Sequence, residues 1–426
     1  MGSSKLLKIM RAKIHSDFLS KLISVFSTKV LLLVVGMAAS ILSARLLGPE
    51  GRGVFGVAIA VCGIGVQFGN LGVHSANTYY LAKDNARLPV TIGNSLALTG
   101  VVGITSMFVY LFFIIFPQFA PVNGIALFLA LILIPFQLYL MLQQNLFIAL
   151  GKISQYNSLE IMSGTFYPIL FVILALFGVV TPQSALAASL IGCALVVTIG
   201  FIWIKSLIND KISLSVLYFK QNLPFGLKTY IACLFSYLVL RADILMLNYF
   251  LGNAQTGLYS IAVSLADMVS ILATTTGMLL FPTAAAISSD LERYKFIKRV
   301  ITYLFLAMLL MIIIAVLISK YAILLLYGLE YAPSIKVFNI LMPGILCLSI
   351  SSLLSNYFAS KNMLIINMIT PIIALVINIL ANLILIPRYG INGAAIASSI
   401  SYFLMFCIMF ITFKLDGNKV RLRGKK

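Results

Sequence analysis

Acidic residues are scarce in this chain. Of 426 positions only 11 are Asp or Glu, two are His and one is Trp, and charged residues of both signs make up 10%. Soluble domains carry about 25% charged residues, enough to clothe a surface in water. That shortage excludes a water-soluble enzyme, a disordered protein and a secreted disulfide scaffold. Cysteine is equally uninformative as chemistry. Cys62, Cys193, Cys233, Cys347 and Cys407 all stand in apolar stretches without metal or disulfide spacing, and read as small core residues. His15 and His74 lie far apart, so no histidine cluster offers a metal site. No glycine-rich phosphate loop occurs, which argues against direct use of ATP.

What the chain has is apolar length. Hydrophobic residues make up 61% and the mean hydropathy is +1.08. Twelve runs suit a membrane crossing, at 22–44, 54–80, 91–117, 124–148, 161–180, 185–207, 227–250, 257–282, 300–326, 335–359, 364–386 and 393–413. Each approaches or exceeds the ~20 residues that span a ~30 Å hydrocarbon layer. The expected fold is an all-α polytopic membrane protein. Its first run is too long for a cleaved signal peptide and is interrupted by Lys29.

Lys and Arg number 30, for a formal net charge of +19. In a soluble protein that excess would suggest nucleic acid. Here the cations sit in short loops and at the two ends, where they set orientation. With the N-terminus inside, the inner segments hold 23 of them and the outer segments five, Arg45, Arg52, Lys320, Lys336 and Arg388. Both termini are therefore expected in the cytoplasm, with a basic rim against anionic membrane lipids.

The chain also repeats itself. Leu47-Gly48-Pro49-Glu50-Gly51-Arg52-Gly53-Val54-Phe55-Gly56-Val57-Ala58 aligns with Leu251-Gly252-Asn253-Ala254-Gln255-Thr256-Gly257-Leu258-Tyr259-Ser260-Ile261-Ala262 at an offset of 204. At an offset of 209, Lys152 meets Lys361, and Ala185, Ala188, Ser189 and Ile191 meet Ala394, Ala397, Ser398 and Ile400. Six spans per half is an even number, so both halves enter from the same side as parallel repeats. This predicts two six-helix lobes, 1–210 and 211–426, with a cleft between them.

Several stretches resemble one family. They are Ala44-Arg45-Leu46-Leu47-Gly48-Pro49-Glu50-Gly51, Phe68-Gly69-Asn70-Leu71-Gly72, Leu240-Arg241-Ala242-Asp243, Gly257-Leu258-Tyr259-Ser260, Leu326-Tyr327-Gly328-Leu329-Glu330-Tyr331 and Leu385-Ile386-Pro387-Arg388-Tyr389-Gly390-Ile391-Asn392-Gly393. Together they resemble the bacterial O-antigen and capsule-type repeat-unit flippases. Those belong to the multidrug/oligosaccharidyl-lipid/polysaccharide exporter superfamily, which has the MATE-like fold. The resemblance implies a flippase of the bacterial inner membrane that works by alternating access for surface polysaccharide biosynthesis. Its substrate would be an undecaprenyl-pyrophosphate-linked oligosaccharide, and its partners polysaccharide polymerase and chain-length proteins. No cofactor is implied beyond a coupling proton or sodium ion.

Such a substrate sets a physical problem. Its tail is at home in the bilayer, but an unpaired anion moved into low dielectric carries an idealised cost on the order of 20 kcal/mol. Cations must therefore line a wet path. Charges within the spans are Lys29, Arg241, Asp243 and Asp267, functional candidates by default. Lys29 and Arg241 are assigned to the cation path, Lys29 because Lys21, Ser24 and Thr28 give its span a polar stripe. Arg241 has a second reading, snorkelling to the headgroups. Fixed pairs, Asp243 with Lys29 or Arg241 with Asp267, are the structural alternative. Asp243 and Asp267 are candidate ion-coupling sites, and Gln67, Asn70, Asn145 and Asn356 candidate sugar contacts. The rival readings are a cation-coupled drug exporter on the same fold, which would favour acidic cleft residues, and a membrane glycosyltransferase or polymerase, which needs outer carboxylates and large loops.

Overall fold

The computed structural model describes the backbone of residues 2–423 other than Asn209 and Ser288. It describes the side chains of 26–420 and 422 other than those at 209, 278, 279, 281, 282 and 288. Lys21, Ser24 and the terminal basic residues counted above at 5–13 and 421–426 therefore lie outside the described side chains. Eleven α-helices follow one another: α1 (Gly2–Asn70), α2 (Val73–Lys83), α3 (Leu88–Ile115), α4 (Gly124–Ala149), α5 (Ile153–Leu176), α6 (Pro182–Lys205), α7 (Val216–Ala286), α8 (Asp290–Leu326), α9 (Pro333–Ser360), α10 (Leu364–Tyr389) and α11 (Ile391–Arg423). Ten are long and apolar enough to cross a membrane. The protein is a multi-pass membrane protein.

Two of the ten, α1 and α7, are double length because each holds a hairpin. Gly48 has φ 66° and ψ 178°, and Gly252 has φ 77° and ψ −177°. A positive φ strains any residue with a Cβ, so glycine is required at both turns. Pro49 then starts the second arm of α1, where its missing N–H costs nothing. That the chain reverses at Gly48 is visible in Arg52, whose Nη1 donates to Ser43 Oγ at 2.7 Å. Nine residues of straight helix rise about 13 Å, beyond an arginine's reach. Divided at the two turns, the described helices supply the twelve apolar arms expected from the sequence. The second span differs in detail. It breaks at Leu71 (φ 49°) and Gly72 (φ 74°), where Asn70 binds His74, and restarts as α2.

The matching φ/ψ values place Gly48 and Gly252 in equivalent conformations at the 204-residue offset. The two turns also grip each other reciprocally. A Cβ on Gly53 would collide with the Asn253 carbonyl, and one on Gly257 with the Pro49 carbonyl. Gly53 and Gly257 are repeat mates, as are Pro49 and Asn253. A contact in which i meets j and j's mate meets i's mate is the mark of a two-fold axis. Only glycine lets the backbones approach this closely.

Helices α1–α6 pack on one another as an N-terminal bundle and α7–α11 as a C-terminal bundle, and the two meet mainly along α1 and α7. At the end bearing the turns, Arg45 of α1 donates to the Leu325 and Leu326 carbonyls at 2.5 and 2.8 Å, Tyr331 OH to the Ala44 carbonyl at 3.0 Å, and Asn248 of α7 to the Pro121 carbonyl. Toward the opposite end, that of the chain termini, the Gly72 and Gly226 backbones touch and Tyr79 stacks on Phe225 at 4.4 Å.

Candidate functional site

Between these contacts lies a cavity of about 550 Å³, bordered by both bundles. One wall is the first arm of α1 from Lys29 to Ser40. The facing wall is the second arm of α7 from Ser264 to Thr275, with Arg52 and Tyr167 closing the side. Each wall covers twelve residues, eleven helical steps or about 16 Å of membrane depth.

Arg52 stands at the turn end of this cavity. It is 8% exposed. Besides Ser43, its guanidinium donates to Ser264 Oγ at 3.3 Å, across the bundle boundary, and its carbon lies 5.6 Å from the Phe55 ring centroid. Its Nε is buried without a partner, and among the described residues no carboxylate lies within ion-pair distance. A buried arginine without a counter-ion is costly, and it is a strong acquirer of anions. The expectation that Arg52 belongs to an outer loop is corrected here. The Gly51-Arg52-Gly53 segment is sunk against Pro182 and Asn253, because its glycines permit backbone approach that carries Arg52 inside.

The other charges along the cavity are compensated. Lys29 Nζ donates to Glu160 Oε2 of α5 at 2.5 Å and lies 5.9 Å from the Tyr156 ring centroid. Arg241 Nη2 donates to Asp267 Oδ2 at 2.7 Å, so the Arg241–Asp267 alternative is realised. The Asp243–Lys29 alternative is not. Asp243 is 1% exposed inside the C-terminal bundle, where Tyr259 OH, Ser398 Oγ (3.0 Å) and the Ile244 N–H (2.8 Å) donate to it. Asn378 Nδ2 donates to Ser398 Oγ at 3.5 Å and Asn382 Nδ2 to Asn378 Oδ1 at 2.9 Å, and Asn382 Oδ1 is buried without a partner.

The amide candidates separate by location. Asn356 borders a second cavity of about 300 Å³ in the C-terminal bundle. Asn70 holds the α1–α2 break, while Asn145 accepts from Thr78 Oγ1 at 3.1 Å and ties α2 to α4. Gln67 is half-buried on the second arm of α1. A third cavity, of about 540 Å³, lies in the N-terminal bundle, bordered by Gln137, Gln144, Glu160 and Ser189.

The family model described as "polysaccharide biosynthesis protein" matches residues 41–336, which include Arg52, Asp243 and Asp267 but not Lys29. The chain belongs to this polysaccharide biosynthesis protein family. Its structure is similar to a lipid II flippase, MurJ, in an inward closed conformation (TM-score 0.74, 16% identity, 93% of this chain and 89% of that one). It is also similar to an inward-facing MATE multidrug resistance transporter (TM-score 0.76, 16% identity, 92% and 95%), and both are of the fold shared by the MOP superfamily. The membrane protein MJ1068 of Methanocaldococcus jannaschii is 26% identical over 242 residues, 53% of this chain and 47% of that protein. The chain thus spans about half the length of the curated relative it matches. For this family member, Arg52 is the candidate site residue that span counting passes over. Its signal in the sequence is the pair of flanking glycines, since small residues mark close helix approach rather than solvent.

Proposed function

We propose that this protein is a flippase that carries polyprenyl-pyrophosphate-linked oligosaccharide repeat units from the cytoplasmic to the outer leaflet of a bacterial inner membrane. The two bundles act as lobes, 1–210 and 211–426, that rock in alternating access, with both termini in the cytoplasm. One observation carries the reading: Arg52, buried and without a counter-ion, heads a cavity enclosed by both bundles. A pyrophosphate would supply the missing negative charge, and the planar guanidinium suits its paired oxygens. Family membership and a fold like that of a lipid II flippase support a lipid-linked cargo. Lys29 and Arg241 are further stations of the cation path, each of which must release a carboxylate to take the phosphates.

Coupling is assigned to Asp243. Among the described residues it has three donors and no cation within ion-pair distance, and Asn382 Oδ1, joined to this cluster through Asn378, is unpartnered, so a proton or sodium ion has acceptors waiting. Asp267 is already balanced by Arg241. Glu160 does border a cavity, the feature a cationic-drug exporter would use, but Lys29 neutralises it.

Gene deletion with analysis of lipid-linked saccharides tests the reading. Loss of the protein should strip surface glycan and leave undecaprenyl-linked units on the cytoplasmic leaflet. Complementation by wild type and not by Arg52→Ala is the expected result. Unchanged glycan with altered resistance to cationic dyes would replace it with the exporter reading.

A further inference from the structure

The cavity in the C-terminal bundle has a chemistry opposite to that of Arg52. It meets the central cavity along the second arm of α7, where Asp267 and Thr274 border both. At about 300 Å³ it sits at the lower end of pockets that hold small molecules. In a chain so poor in polar groups, most of its lining is Ser, Thr, Asn or Asp, and the remainder is aliphatic, Pro or Met.

Several protons of that lining are already committed. Ser270 Oγ donates to the Asp267 carbonyl at 2.7 Å, Thr274 Oγ1 to the Ser270 carbonyl at 3.2 Å and Ser351 Oγ to the Cys347 carbonyl at 2.8 Å. The amides of Asn356 and Asn367 donate to the Ser352 and Ser355 carbonyls at 2.9 and 3.0 Å. A hydroxyl has one proton and two lone pairs, so once it back-bonds its own helix it offers the cavity acceptors only. Asn367 Oδ1 is buried without a partner, and so is Ser349 Oγ, on a residue 2% exposed. The lining holds one carboxylate, Asp267, and no Lys or Arg, and its back-bonded hydroxyls and Asn367 Oδ1 add acceptors, so it disfavours phosphate, which is itself all acceptor. It fits a ligand rich in O–H and amide N–H donors with apolar C–H faces.

We infer that this cavity is the glycan subsite of the transport path, built for uncharged sugar residues, with the pyrophosphate held apart at Arg52. The inference rests on the flippase reading. It divides the substrate by hydrogen-bond polarity: phosphate oxygens go to the guanidinium in the N-terminal bundle, and sugar hydroxyls to Ser349, Asn367 and the back-bonded hydroxyls in the C-terminal bundle. Acidic sugars are disfavoured there.

The test is flipping in proteoliposomes of two fluorescent probes, a polyprenyl pyrophosphate without sugar and the same lipid bearing a short neutral oligosaccharide. The variants are Ser349→Ala, Asn367→Leu and Arg52→Ala. Ser349→Ala removes a hydroxyl that no protein group uses, so folding is retained. Ser349→Ala and Asn367→Leu should each slow the glycosylated probe about five- to tenfold while moving the bare probe within twofold of wild type. Arg52→Ala should slow both. An unchanged ratio of the two rates in Ser349→Ala overturns the subsite, and so does an equal loss of both rates in that variant. A wild-type protein that moves neither probe sinks the flippase reading and this inference together.

Discussion

The two bundles share one scaffold but place charges of opposite sign at different positions, each of whose mates is neutral. At the 204-residue offset Arg52 corresponds to Thr256, and Asp243 to Ala39. Thr256 spends its hydroxyl on the Gly252 carbonyl and is fully buried, whereas Arg52 faces the central cavity. Ala39 only lines that cavity, whereas Asp243 is enclosed with Tyr259 and Ser398. The mates of Tyr259 and Ser398 are Phe55 and Ser189, which border the open cavity of the N-terminal bundle instead. The frame is symmetric, and on the proposed reading a few differing sites divide the labour. Among the described residues, one bundle holds an arginine without an ion-pair partner facing the central cavity, the other a carboxylate without one enclosed away from it. Separation serves both, since a carboxylate beside Arg52 would neutralise it.

The largest expected effect breaks the cation side. Arg52→Ala should lower transport of lipid-linked substrate about 100-fold, because truncating one partner of a buried charged contact costs about 2–5 kcal/mol. Arg52→Lys should recover part of it, since an ammonium keeps the charge and loses the fork. Initial rates in proteoliposomes give both numbers. If the Thr256→Arg, Arg52→Thr exchange worked as well as wild type, position within the repeat would be irrelevant and the division of labour wrong.

Next comes the carboxylate side. Asp243→Asn keeps the size and most hydrogen bonds of the cluster but cannot cycle a charge. It should reduce gradient-driven accumulation about tenfold, within the usual range of coupling energies, and leave downhill exchange near wild type. Asp267→Asn leaves Arg241 unpaired and should alter cargo affinity rather than gradient dependence. Imposed pH or sodium gradients in the same vesicles separate the two outcomes.

Much of this frame was legible before any coordinates. Apolar runs of twenty or more residues admit one interpretation, and the repeat around Gly48 and Gly252 marked both turns. The Arg241–Asp267 pair follows from a hairpin closed at Gly252, since the two residues lie 11 and 15 positions from the turn. Arg52 was not legible as a site residue. Counting places a residue four past a turn at the membrane edge, and only the docking of one turn on the other sinks it. Glu160 was not legible either. Its role depends on Lys29, 131 positions away, and no spacing rule relates them.

The frame itself is sharpened by its glycines. Gly53→Ala and Gly257→Ala should each cost about 1–3 kcal/mol, the usual penalty of overpacking. Because the contacts are reciprocal, the two losses should be similar and should appear as comparable drops in melting temperature in detergent. A silent change at one position with a damaging change at the other would mean that the turns dock asymmetrically.

The smallest effect concerns the contacts that join the bundles near the turns. Arg45 reaches from α1 to the carbonyls ending α8, and Asn248 reaches from α7 to the connection between α3 and α4. Under the repeat these are near-equivalent bridges, since the mates of Arg45 and Asn248 are Tyr249 and Ala44, each beside the residue that bonds in the other copy. Their partners are backbone carbonyls at the end of α8 and in the α3–α4 connection, which otherwise take water. Opening the turn end therefore exchanges each bond for hydration, and the net loss is about 1 kcal/mol per bridge. Arg45→Ala should raise the population open at the turn end about fivefold, and Asn248→Ala should do the same. Labelling of Ser264→Cys by an impermeant thiol reagent from the turn side, in a background without the five native cysteines, measures that population. Because the bridges act on one equilibrium from opposite bundles, the double variant should shift it by the product of the two factors. A labelling rate that responds to Arg45 and ignores Asn248 would show that the bundles part along one flank instead of hinging about the axis between the turns.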